Sequence, residues 1–194
     1  MGGGAGGKSP LKRINVTTPY SVSESVQPGT VFTPTSPGIF AVSNQIVKGT
    51  FSATLPFKVD PSIPKGKKKA SAAAGFRSVS GTFVSKLQGT YNAISNTGTF
   101  NGVRLLRFSQ GPLGDACLTW SSTVSATTNA ETGDFSLVGG TKLAARARMT
   151  GTYSGTKSQT GTNATVTGSI TVSGKVGKPA RGLNADCQAL APQL

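Results

Sequence analysis

Histidine is absent, and with it go the commonest general base and the commonest metal ligand. Acidic residues are nearly as scarce: Glu24, Asp60, Asp115, Glu131, Asp134 and Asp186 are all that 194 residues contain. Only Glu131 and Asp134 are close, and they flank Thr132-Gly133 in what reads as a hairpin tip. A paired-carboxylate glycosidase needs two acids on converging walls of a cleft, which scattered turn acids do not supply. No local motif singles out a Ser–Lys nucleophile pair. The inventory reads as a chain that is not an enzyme, and it calls for no cofactor and no metal.

Cysteine occurs only at 117 and 187. Two thiols without histidine are too few for a zinc site. The expected use is one disulfide, Cys117–Cys187, tying the C-terminal tail to a mid-chain strand. Closing so long a loop is worth about 4 kcal/mol in the chain-entropy picture, and an oxidising compartment follows from it. Two free thiols in a cytosolic protein are the alternative. No apolar run reaches the ~20 residues of a membrane-spanning helix. Met1 is followed at once by Gly-Gly-Gly-Ala-Gly-Gly, with no apolar signal core. Such a start looks like that of a mature chain with its leader removed, and on that reading the expected location is extracellular or the cell surface.

What charge there is has one sign. Lys and Arg number 20 against 6 acids, giving +14, although only 13% of residues are charged. A surplus of this size attracts anionic polymers such as nucleic acid, acidic glycans or cell-wall polymers. Simple solubilisation of a secreted domain is the plainer reading. The candidate polyanion residues are the run Lys65, Lys67, Lys68 and Lys69, together with Arg146 and Arg148, which share a parity with Lys142. Lys175, Lys178 and Arg181 extend the patch. The outward parities carry few aromatic rings, so such binding is weak and blind to base sequence.

Against this sparse background, alternation is plentiful. In Ala164–Val176, Val166, Ile170, Val172 and Val176 fall on one parity, and Thr165, Thr167, Ser169, Thr171, Ser173 and Lys175 on the other. A period of two makes one face dry and the other wet, as in an antiparallel strand. Residues 1–13 form a Gly-rich basic lead-in, and 14–194 read as one all-β domain. Ile14–Val42, punctuated by four prolines, reads as short or edge strands. Further strands are expected over 45–59, 77–87, 89–95, 98–108, 117–127, 134–138, 141–153 and 163–176, with 60–75 a loop. Glycine- and asparagine-rich joints between them favour a meander β-barrel, a sandwich or jelly roll being the alternative.

Gly-Thr-aromatic recurs at 49–51, 81–83, 89–91, 98–100 and 151–153, with an echo at Gly133-Asp134-Phe135. Each aromatic ring is expected to drop into the core beside a glycine that lets the sheet curve. The punctuation resembles that of streptavidin-like and allene-oxide-cyclase-like barrels. With Trp120 the only tryptophan, no biotin-type site is carried over. The expected core comprises Phe51, Phe83, Tyr91, Phe100, Trp120, Tyr153, Val166, Ile170 and Val172.

Thr119, Ser121, Thr123, Ser125 and Thr127 form a second hydroxyl ladder, suited to glycans or ordered water, or simply solvated. Cys117 shares their parity. A bulge near Asp115, or a tail folded back over the outer surface as a strap, reconciles this with a disulfide. The function expected is a non-catalytic binding or structural role toward polyanions or glycans. A small-ligand carrier using the barrel interior and a capsid-type shell protein with a basic arm are the alternatives. Oligomeric state is not written in the sequence.

Overall fold

Strand follows strand, each antiparallel to the one before, until the sheet meets itself. The computed structural model describes residues 14–57, 75–176 and 180–194. Its strands are β1 (Ile14–Val26), β2 (Val31–Ser36), β3 (Ile39–Phe57), β4 (Gly75–Asn92), β5 (Thr97–Phe108), β6 (Asp115–Ser125), β7 (Ala130–Gly140), β8 (Ala147–Thr160) and β9 (Asn163–Val176). Their order is β1-β9-β8-β7-β6-β5-β4-β3-β2, and β1 also pairs with β3. Eight strands therefore close a barrel, and β2 is an extra edge strand on the first part of β3. Closure leaves short unpaired edges among the described residues, at β2, at the start of β1 and at the end of β3.

Several boundaries differ from those the sequence suggests. The proline-rich start is a continuous 13-residue strand, β1. Pairing of β1 with β3 begins at Tyr20, so Pro19 sits where β1 has β9 on one side only, a position proline tolerates. Expected strands 77–87 and 89–95 are one strand, β4, because Gly89 lies flat against Phe100 without a turn. The expected strand 134–138 is longer, spanning Ala130–Gly140. Residues 141–146 are not strand: Lys142 has φ 49° and Ala144–Arg146 form a 3-10 turn, so β8 starts only at Ala147.

The Gly-Thr-aromatic triplets pair with one another. Gly49, Thr50 and Phe51 lie opposite Phe83, Thr82 and Gly81. Gly89, Thr90 and Tyr91 lie opposite Phe100, Thr99 and Gly98. Gly133, Asp134 and Phe135 lie opposite Tyr153, Thr152 and Gly151, so the echo is the partner of the fifth triplet. Every ring thus stands across from a glycine. A β-carbon at Gly49 would come within 2.9 Å of the Phe83 ring, and one at Gly81 within 2.9 Å of Phe51. Rings fill the space the missing side chains leave, which sets register and curvature together.

Inside, Val22, Val47, Phe83, Leu87, Trp120, Tyr153 and Val166 form the buried core, with Phe51, Phe100 and Ile170 half-buried against it. Val172 is buried as well, whereas Tyr91 is only half-buried, where β4 runs past the closed part of the barrel. Outside, a second apolar cluster of Val84, Leu105 and Cys117 is covered by the C-terminal helix α1 (Ala185–Leu190). Cys117 and Cys187 are disulfide-bonded with Cα atoms 5.9 Å apart. The tail is a strap over the outer wall. Leu183, Cys187, Leu190 and Leu194, spaced at a helical period, are its apolar face. A bulge exists too, but in β7 opposite the Cys117–Leu118 step rather than near Asp115.

Candidate functional site

Three places on the barrel hold chemistry. The first is internal. Glu131 lies on the inward parity of β7 with Gly133 and Phe135, and is 4% exposed. It is therefore not a hairpin-tip acid; the tip is Ala126–Asn129, one turn earlier. Ser122 Oγ donates to Glu131 Oε1 at 3.2 Å, and Tyr153 OH lies 3.3 Å from the same oxygen while donating to the Ser121 carbonyl at 3.0 Å. Lys157 Nζ reaches Glu24 Oε1 at 2.8 Å and Glu131 Oε2 at 3.5 Å. Burial works against the charge of Lys157, yet the two carboxylates outweigh it and hold its pKa above the usual lysine value. Burial, reinforced by the Glu131 charge, pushes the phenols of Tyr153 and Tyr20 above the ordinary tyrosine range.

Deeper in, Arg104 is 9% exposed. Its Nε donates to Ser85 Oγ at 2.7 Å, and its guanidinium carbon sits 4.3 Å from the Phe83 ring centre and 4.6 Å from that of Trp120. Two aromatic faces thus take the place of a counter-charge. Trp120 stacks on Tyr153 with centroids 6.0 Å apart, and Tyr153 meets Tyr20 edge-on at 5.9 Å. These side chains pack against one another inside the barrel. Sequence reasoning missed Glu24, Lys157 and Arg104; parity alone, with Arg104 in step with Phe100 and Gly102, carried the signal.

The second place is one end of the barrel. β1 begins, β3 ends, β4 begins and β9 ends at the same end, together with the β5–β6 and β7–β8 connections. Arg146 is exposed there. Arg148 is half-buried on the same parity of β8 as Thr150 and Thr152, and donates to the Ala145 and Ala147 carbonyls. Desolvation and the neighbouring Arg181 charge lower its pKa from the usual guanidinium value. Leu143 is 43% exposed because the segment is a loop. Lys142 donates to the Gly111 carbonyl at 2.7 Å. Lys65, Lys67, Lys68 and Lys69 lie outside the described residues. The turns at the opposite end, 27–30, 37–38, 93–96, 126–129 and 161–162, contain no charged residue.

The third place is the outer wall of β6, β7, β8, β9 and β1. Thr119, Ser136, Thr150, Ser173 and Asn15 form one row across these five strands. Ser121, Asp134, Thr152, Thr171 and Thr17 form the next. Hydroxyls bond across the strands, Thr17 to Thr171 at 2.8 Å and Ser173 to Asn15 at 3.3 Å. The rows line an open groove of about 530 Å³.

No protein-family model matches the chain, and no curated protein matches it. Among solved structures it is similar to a pterocarpan synthase dirigent protein, at 16% identity, over 87% of this chain and 94% of that one, with a TM-score of 0.39.

Proposed function

We infer that the chain is a non-catalytic, secreted β-barrel that holds anionic polymers by a positively charged end. The observation that carries this reading is topological. Every chain segment rich in Lys and Arg is joined to the barrel at one end: 1–13 before Ile14, 58–74 between Phe57 and Gly75, and 177–181 after Val176. Arg146, Arg148 and Arg181 stand at that end, and the turns of the other end are uncharged. Arg146, Arg148 and Arg181 on one end focus the field that a polyanion meets.

A secreted setting is supported by the disulfide. Among the described residues no helix is long and apolar enough to cross a membrane. The absence of catalysis is supported by the interior carboxylates, both already engaged by Lys157.

Salt dependence of binding to heparin and to duplex DNA tests the reading. Replacing Lys65, Lys67, Lys68, Lys69 and Arg146 with serine removes several charges from one end. The slope of log K against log salt for DNA then falls by about 0.9 for each phosphate no longer neutralised. Lys48→Ser with Lys86→Ser, on the barrel wall, leaves the slope unchanged. Losses that follow only the number of charges removed, wherever they lie, would refute a site.

A further inference from the structure

The five-strand hydroxyl wall is chemically unlike the end that gathers the positive charge. Its two rows carry a single charge, the carboxylate of Asp134, in a protein of net charge +14. Asp134 is exposed near the middle of the wall, and its Oδ2 lies 3.4 Å from Ser121 Oγ, which in turn accepts from the Asp134 backbone N–H at 3.2 Å. Such a carboxylate is aimed by its neighbours yet keeps most of its acceptor sites open to solvent. Around it stand hydroxyls, each able both to donate and to accept. Strand spacing makes the rows roughly 19 Å long.

We propose that this groove binds a neutral polysaccharide, with Asp134 accepting hydrogen bonds from a pair of sugar hydroxyls and Thr150, Thr152 and Thr171 exchanging bonds with the neighbouring rings. The charge pattern selects this occupant. An anionic polymer would meet the Asp134 carboxylate with no cation in either row to offset it. An apolar ligand would have to desolvate hydroxyls without replacing their bonds. A polymer made of hydroxyls returns a bond for every one it displaces, and charge-assisted bonds to a carboxylate are the strong ones. The site adjoins the basic end, since Arg148 precedes Thr150 on the same face of β8, but the proposed contacts use none of that end's residues.

The probes are insoluble cellulose, chitin and β-1,3-glucan, and the measurement is the fraction of protein depleted from solution at 0.1 and 1 M NaCl. At least one probe should retain the protein equally at both salt concentrations. Asp134→Ala, and separately Thr150→Val with Thr152→Val and Thr171→Val, should each weaken that retention at least tenfold. Valine keeps strand preference and shape, and an unchanged thermal midpoint shows that the fold survives. Failure of all three probes to retain the protein overturns the proposal, as does retention that the variants leave intact. Retention abolished by 1 M NaCl overturns it too, and assigns the binding to the basic end instead.

Discussion

At Lys157, burial and charge act in opposite directions, and the two carboxylates beside it prevail. Lys157→Met would leave Glu24 and Glu131 buried and facing each other without a cation. Removing one partner of a buried ionic cluster costs about 3–5 kcal/mol, so the urea midpoint at pH 7 should fall accordingly. Wild type is limited at high pH. Tyr20 and Tyr153 have pKa values raised from the ordinary 10.0, and Lys157 from 10.5. In each case the folded state binds the proton more tightly than the unfolded chain does. Their contribution is therefore intact below about pH 10 and is lost as pH climbs above it. Urea midpoints from pH 8 to 11.5 should be level and then fall, with phenolate absorbance of these two tyrosines appearing only as the chain unfolds.

The strands are matched to one another by space as well as by hydrogen bonds. At Gly49 an added β-carbon would run into the Ser23 carbonyl oxygen and approach the Phe83 ring, while at Gly111 it would meet nothing within 4 Å. Gly49→Ala should therefore cost at least about 1–3 kcal/mol, the usual range for overpacking, and Gly111→Ala should be near neutral. Phe83→Ala, at 1% exposure, should cost about 3–5 kcal/mol. Phe100→Ala should cost less, since Phe100 is only half-buried. Chemical denaturation of the four variants is a direct check, and a stable Gly49→Ala would contradict the pairing of ring with glycine as the source of register.

For the molecule as a whole, the strap is the element that needs an explanation. Val84, Leu105 and Cys117 point away from the barrel interior, and α1 with Leu183 and Leu194 removes them from water. The strap lies so close that a β-carbon at Gly139 would collide with the Gly182 carbonyl. The disulfide closes a separation of 70 residues. Cys117→Ala with Cys187→Ala should lower stability by about 4 kcal/mol on the chain-entropy estimate and expose an apolar patch to a dye such as ANS. Intact mass after alkylation should show no free thiol in the untreated protein.

Much of this was legible in the order of residues. Alternation such as that of Ala164–Val176 is local, so it specified strands, their wet faces and an all-β fold without reference to anything distant. The outward parity of Cys117 left a bulge near Asp115 and an outer strap as alternatives, and the folded tail decided for the strap. Where β7 and β8 begin was not legible, because Lys142 in a left-handed conformation and the burial of Glu131 depend on partners far along the chain. The Ala145 and Ala147 carbonyls that Arg148 bonds are offered only by the folded chain. The interior ion cluster belongs to tertiary structure altogether, and so does the alignment of single-strand hydroxyl ladders into rows across five strands. Thr17 and Thr171 are 154 residues apart in sequence, yet their hydroxyl oxygens lie 2.8 Å from each other, because the barrel closes by laying its first strand against its last.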